Sequence, residues 1–279
     1  MLTRPTWVAR DTENHPCMAA GPLIELDKVS KSFDDGRSFA LREVSLAVEA
    51  GAFIALVGAS GSGKTTAMKL INRLLEPDGG EVRLEGIPVK SLDAPLLRRR
   101  VGYVFQGIGL FPHMTIAENI GITPQLLGWK RAEIDARVAE LLDLVELPRD
   151  YAGRLPHALS GGQRQRAGVA RAIAARPRVV LMDEPFGALD PITRDALGTA
   201  WRAIHDRLGV TTIMVTHDVQ EAVLLADRIA VMGGGHILAE DAPGPLLAVR
   251  APPEVATLMA MPRHQAERIG ALTAKAAHG

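Results

Sequence analysis

Cysteine is almost missing from this 279-residue sequence. Cys17 stands alone, so neither an intramolecular disulfide nor a cysteine-based metal cluster can form, which suits a reducing compartment. Net charge is missing as well. The 32 basic and 32 acidic side chains cancel, which removes any sequence-independent pull on nucleic acid or an anionic membrane. No apolar run approaches the ~18 residues that would span a bilayer. Residues Met1 to Gly21 mix Arg, Asp, Glu, Asn and Pro without an apolar segment, so they do not read as a secretory signal. They read as a poorly ordered extension (1–21), with Met18 as an alternative start.

What is present is organised around one stretch, Gly58-Ala59-Ser60-Gly61-Ser62-Gly63-Lys64-Thr65-Thr66. It follows the apolar run Ala52 to Val57 and leads into a helical pattern, Ala67 to Ile71. Gly58, Gly63, Lys64 and Thr65 fit the G-x-x-x-x-G-K-[ST] spacing of a P-loop. In such a loop the backbone N–H groups converge on one concavity, and the following helix adds its positive end, so that phosphates are held by dipoles and hydrogen bonds. Lys64 is expected to reach the β- and γ-oxygens, and the Thr65 hydroxyl to face Mg²⁺.

Before this loop, Leu23 to Val29 and Val44 to Val48 alternate as strands with one buried face. Val101 to Phe105 is an apolar strand leading to Gln106, Val179 to Met182 leads to Asp183 and Glu184, and Thr211 to Thr216 leads to His217. Open α/β sheets bind ligands at the carboxyl ends of their strands, so these polar ends point to one shared site. The fold expected is α/β, a parallel core with an antiparallel β portion attached. Phe33 reads either as an ordinary aromatic or as a platform for a nucleotide base. Arg98-Arg99-Arg100 reads as a solvated helix end complementing the dipole rather than a nucleic-acid patch. Between Thr115 and Leu147 the residues Ile134, Val138, Leu141, Leu142 and Val145 form one apolar helix face, with Arg and Glu opposite. A further helix opens at Ser160; Ala167, Val169, Ala170, Ile173 and Ala174 are its expected buried side, and Arg164, Gln165, Arg166 and Arg171 its polar one.

The run Leu159-Ser160-Gly161-Gly162-Gln163, placed between a P-loop and an Asp-Glu strand, resembles the signature of the ATP-binding cassette (ABC) ATPases, over Leu23 to Leu247. Within that family, Ile71 to Pro77 and Gly109 to Ile120 are similar to the ATPase subunits of importers for glycine betaine, choline or carnitine. Importers of another solute, an amino acid or a sulfonate, are the alternative; a DNA-maintenance ATPase is disfavoured because no sustained heptads separate Gln106 from Ser160. Gly107 and Gly187 stand where many members carry Gln and Ser.

The resemblance implies a P-loop ABC core over 22–247 with an antiparallel β subdomain and a helical signature subdomain at about 107–165, then a short helical tail over 248–279 without CBS domains. It implies ATP and Mg²⁺ as ligands. Asp183, Thr65 and Gln106 would serve the metal, Glu184 would polarise the attacking water, and His217 would contact the γ-phosphate. Ser160, Gly161, Gly162, Gln163 and Asp190 would serve the nucleotide held by a second copy of the chain. The further partners implied are transmembrane permease subunits and, indirectly, a periplasmic or extracellular substrate-binding protein, which places the chain on the cytoplasmic face of the membrane. No nucleic-acid partner is expected.

Overall fold

The computed structural model describes residues 21–107, 109–248 and 253–260. The expected disorder of the first residues, the alternative start at Met18 and the end of the tail lie outside the described residues. In chain order the elements are β1 (Ile24–Ser32), β2 (Phe39–Val48), β3 (Phe53–Val57), α1 (Lys64–Ile71), β4 (Gly79–Leu84), β5 (Ile87–Pro88), α2 (Ala94–Arg100), β6 (Val101–Val104), α3 (Ile116–Leu126) and α4 (Arg131–Leu144). There follow α5 (Gly161–Ile173), β7 (Val179–Asp183), α6 (Pro191–Leu208), β8 (Thr211–Val215), α7 (Val219–Leu225), β9 (Arg228–Gly233), β10 (His236–Asp241) and α8 (Pro243–Leu247).

They build two sheets, an antiparallel one in the order β2-β1-β4-β5 and a six-stranded one in the order β10-β9-β3-β8-β7-β6. In the larger sheet β9, β3, β8, β7 and β6 run parallel and only β10 is antiparallel. Every residue of β3, β7 and β8 is buried, as parallel strands covered on both faces must be. The pleat divides them between two apolar layers. Ile54, Leu56, Leu181, Ile213 and Val215 join Met68 and Ile71 of α1 and the inner face of the antiparallel sheet. Phe53, Ala55, Val57, Val180, Met182 and Met214 join Ile120, Leu141, Ala170 and Trp201 from the helices on the opposite side.

The helical region between β6 and β7 buries Ile134, Val138, Leu141, Leu142 and Val145 as the periodicity implies. Three polar residues depart from the expected pattern. Arg137, on the side read as solvated, is buried and donates to the carbonyls of Ile173 (2.9 Å) and Ala174 (3.2 Å) at the C-terminal end of α5, where carbonyls lack the regular intrahelical partner. Gln165 and Arg171, read as the polar side of α5, are buried too: Gln165 donates to the Pro185 carbonyl and Arg171 to the Gly109 carbonyl. Periodicity could not reveal them, because a buried polar side chain is accommodated by partners distant in sequence. The Arg98–Arg100 run does end a helix, with Arg98 donating to the Arg73 carbonyl and Arg99 to that of Leu126. Residues 253–260 are helical, and Val255 and Met259 are buried in the same apolar layer as Phe53 and Trp201. Among the described residues no helix is long and apolar enough to cross a membrane.

Candidate nucleotide site

Strand order places the carboxyl ends of β3, β8, β7 and β6 side by side, so the segments that follow them share one edge of the sheet. The first is the loop 58–63 between β3 and α1. Glycine is required at two of its positions. Gly58 has φ 152°, and a Cβ there would lie 2.1 Å from the Met232 carbonyl oxygen. Gly63, the N-cap of α1, has φ 101°, and its Cβ would lie 2.3 Å from the Ala40 oxygen. Ala59, Ser60 and Gly61 stay exposed at the crown while Ser62, Gly63 and Lys64 are buried beneath it. The Lys64 ammonium folds over the loop, donating to the carbonyls of Gly58 and Ala59 at 2.8 Å each and to Ser62 Oγ at 3.3 Å. Burial lowers its pKa, opposed by the charges of Glu184 and Asp183. It is a cation held over polar acceptors, and an anion entering the loop offers it stronger ones.

Thr65, in the first turn of α1, donates its hydroxyl to Asp183 Oδ1 at 3.2 Å, and Tyr103 of β6 points its hydroxyl at Oδ2 from 3.5 Å. Burial raises the Asp183 pKa, helped by the neighbouring charge of Glu184 and opposed by the Thr65 and Tyr103 hydrogen bonds and by Lys69. Burial, with Asp183 beside it, also pushes the Tyr103 phenol above its usual range. A divalent cation fits this pair: it would offset the cost of an inward carboxylate beside a second carboxylate, and hydroxyl and carboxylate are the hard oxygen donors that Mg²⁺ takes. Among the described residues no group of three or more His, Cys, Asp and Glu is poised for a metal; a cation at Thr65 and Asp183 would complete its shell with phosphate oxygens and waters.

Glu184 comes next and leaves the strand conformation. Its φ is 43°, a left-handed value costing a non-glycine residue of order 1 kcal/mol, while its N–H donates to the Val215 carbonyl at 2.9 Å. The turn sends the carboxylate into the gap between two loops. Gln106 Nε2 donates to Glu184 Oε2 at 3.0 Å, and His217 Nδ1 lies 3.3 Å from Oε1. Three strand ends thus contribute one side chain each to a single cluster: Gln106 after β6, Glu184 after β7 and His217 after β8.

Ser160 to Gln163 do not join that cluster. Ser160 caps α5, accepting from the Gln163 N–H at 3.3 Å, while Gln163 Oε1 accepts from the Ser160 N–H at 2.9 Å. The Gln163 amide is therefore engaged inside its own turn, and the bare N–H groups of Gly161 and Gly162 are what the helix presents outward. A surface depression joins Ser160 to Gln163 with Ala188 to Asp190 and Thr193; no residue of 58–66 lines it. Asp190 caps α6 by accepting from the Thr193 N–H at 3.0 Å; hydrogen bonding from the Thr193 side chain, and then from that N–H, lowers its carboxyl pKa. Phe33, in the turn before β2, is 65% exposed, with the Lys31 ammonium 5.7 Å from its ring centroid.

Sequence reasoning passed over Tyr103, which faces Asp183, and Arg194, Thr216, Asp218 and Glu221, which surround His217. The hydroxyl of Tyr103 at the end of an apolar strand was the available signal for the first. The others are spaced like ordinary helix-surface and capping residues.

A phosphate-cradling loop, a buried strand-end Asp and an adjacent strained Glu on one sheet edge define a P-loop nucleoside triphosphate hydrolase. Residues 41–187 match the family model described as ABC transporter. The chain is 50% identical over 221 residues to a glycine betaine uptake system ATP-binding protein of Escherichia coli (strain K12), covering 79% of this chain and 71% of that protein. It is 48% identical over 225 residues to a choline transport ATP-binding protein of Bacillus subtilis (strain 168), covering 81% of this chain and 59% of that one. Among solved structures it resembles a dimeric ATP-binding cassette in a post-hydrolysis state bound to ADP and Pi, with 33% identity, a TM-score of 0.71, and coverage of 78% of this chain and 98% of the other. The chain belongs to the ABC transporter family and is one of its ATP-hydrolysing cassettes.

Proposed function

We propose that the chain is the ATPase subunit of an importer for a quaternary-ammonium osmoprotectant such as glycine betaine or choline, and that it works as a head-to-tail pair of identical chains. The observation carrying this reading is the split of the site: residues 58–66 share an edge with Asp183, Glu184, Gln106 and His217, whereas Ser160 to Gln163 open on a separate surface. A second copy related by a two-fold axis brings its own Ser160 to Gln163 over the first copy's P-loop, and the reverse, as an isologous contact requires.

In that arrangement Gly58 to Thr66 hold the phosphates, Lys64 turning from loop carbonyls to the β- and γ-oxygens. Phe33 offers an exposed ring to the base. Thr65, Asp183 and Gln106 would hold Mg²⁺, which when bound would draw charge from the phosphate oxygens. Glu184 accepts a proton from the water it orients toward the γ-phosphorus. His217 steadies that carboxylate and meets the γ-phosphate. The partner's Gly161 and Gly162 N–H groups cap the same phosphate at a helix N-terminus, and Asp190 keeps the adjoining loop in register. Phosphoryl transfer is mostly positioning and charge stabilisation, so a site missing its second half binds ATP and turns it over poorly. Binding closes the pair and hydrolysis reopens it. The segment after Gln106, with Phe111 and Leu126 exposed, is the surface that docks on a membrane-embedded permease and carries this motion to it.

The solute rests on what the relatives transport, since the substrate pocket belongs to the permease and binding protein. Copurification of the permease and uptake of labelled betaine and choline by reconstituted vesicles tests it. ATP-dependent uptake of either supports the reading, and uptake only of an amino acid or a sulfonate overturns it.

A further inference from the structure

The turn carrying His217 is held by one guanidinium on another element. Arg194, in the first turn of α6, places Nη1 at 3.2 Å from Asp218 Oδ2 and Nε at 3.6 Å from Glu221 Oε1. Its Nη2 donates to the Leu189 carbonyl at 3.2 Å. These acceptors bracket His217. Asp218 follows it directly and caps α7, accepting from the Gln220 and Glu221 N–H groups. Glu221 is buried and accepts the Thr216 hydroxyl at 2.7 Å, while Thr216 Oγ1 accepts from the Asp218 N–H at 3.0 Å. Both neighbours of His217 therefore face Arg194 through carboxylates, Asp218 by a hydrogen bond and Glu221 by charge across 3.6 Å without one, and the Nη2 hydrogen bond ties Arg194 to the loop 187–190, which with Ser160 to Gln163 forms the surface proposed to face the second chain.

We infer that Arg194 is a positioning residue that makes the 187–190 loop and the His217 turn move as one unit, so that engagement of the partner's surface sets the distance between His217 and Glu184. The geometry favours this over a local role in α6. An arginine serving only its own helix needs no partner beyond it, whereas its two acceptors, on Asp218 and Leu189, and the facing Glu221 carboxylate all lie outside α6. A planar fork suits the task, because it reaches several acceptors in fixed directions, whereas the donors of an ammonium rotate freely. The inference rests on the assignment of His217 above.

A double-mutant cycle on the full chain tests it, reading ATP turnover, equilibrium ATP binding and urea unfolding for R194A, H217A and the double variant. R194A is expected to lower kcat about ten- to a hundredfold, as displacement of a catalytic group by a fraction of an ångström does, with ATP affinity and the unfolding midpoint close to wild type. On the H217A background the same change is expected to cost nothing further, since its effect passes through His217. Undiminished turnover in R194A, or an equal loss with and without His217, overturns the inference. If R194A does not fold, R194K takes its place in the same cycle, retaining the charge without the fork. Wild-type turnover in H217A removes the role of His217 itself, and so the reading beneath the inference, whatever Arg194 does.

Discussion

Replacing Glu184 with glutamine removes a charge and leaves the shape. The wild-type carboxylate accepts from Gln106 Nε2 at 3.0 Å on one oxygen and lies 3.3 Å from His217 Nδ1 on the other. A glutamine keeps an oxygen toward Gln106 and turns its NH₂ toward the imidazole, so both neighbours retain partners and the fold is expected to hold. What disappears is the acceptor for the water's proton. General-base catalysis contributes of order 10²–10⁴ in rate, so about 3–5 kcal/mol of barrier height is at stake. ATP binding uses the loop 58–66 and is untouched by the change; the variant should bind ATP, fail to consume it and accumulate as a closed dimer. Phosphate release at saturating ATP, equilibrium ATP binding and size-exclusion chromatography with ATP read the three consequences. Near-normal turnover would refute the assigned role of Glu184. Loss of ATP binding would show instead that the carboxylate holds the nucleotide or the loop.

Two further outcomes follow from buried polar groups. Asn119 is fully buried, accepts from the Phe111 N–H and donates to the carbonyls of Phe111, Met114 and Thr115, so it ties the 111–115 loop to α3; Asn119→Ala should cost about 3 kcal/mol, read as a lowered urea midpoint at unchanged slope. His205 is buried against Thr212 Oγ1 (3.0 Å) and the Phe53 ring, and burial, with Arg202 nearby, depresses its pKa. The folded protein favours the neutral ring, so its stabilisation is present above the unfolded value of ~6.5 and is lost as pH falls below that. His205→Gln should flatten the fall in stability between neutral and mildly acidic pH, whereas the buried carboxyls of Asp183 and Glu221, raised by burial, change in the opposite sense and are common to both proteins.

Which parts were legible in the sequence follows from how local their physics is. The P-loop, its flanking strand and α1 were readable because a glycine pattern, an apolar run and a helix start lie within about two dozen residues. The shared edge was readable for a similar reason, since apolar strands ending in Asp183, Glu184 and His217 leave those side chains at the carboxyl ends of a parallel sheet. The capping box of Ser160 and Gln163 was not separated from the signature, since the same residues at the same spacing serve both. Arg137, Gln165 and Arg171 read as solvent-facing because periodicity counts charge and not partners; each is buried on a carbonyl that only the folded chain brings near. Arg194 escaped for the same reason, its hydrogen-bond acceptors and the facing Glu221 carboxylate being supplied by two loops and another helix.

The central claim is that each catalytic site is shared between two chains, and complementation measures it directly. Lys64→Ala disables the P-loop and Ser160→Arg blocks the outward end of α5, so either variant alone is expected to be inactive. In a mixed dimer one site combines both lesions, while the other pairs an intact P-loop with an intact Ser160 to Gln163. With random pairing, half the dimers are mixed and half of their sites are whole, so the mixture should recover about a quarter of wild-type turnover. A mixture that forms mixed dimers yet stays inactive, or a Ser160→Arg chain that is fully active alone, would contradict it.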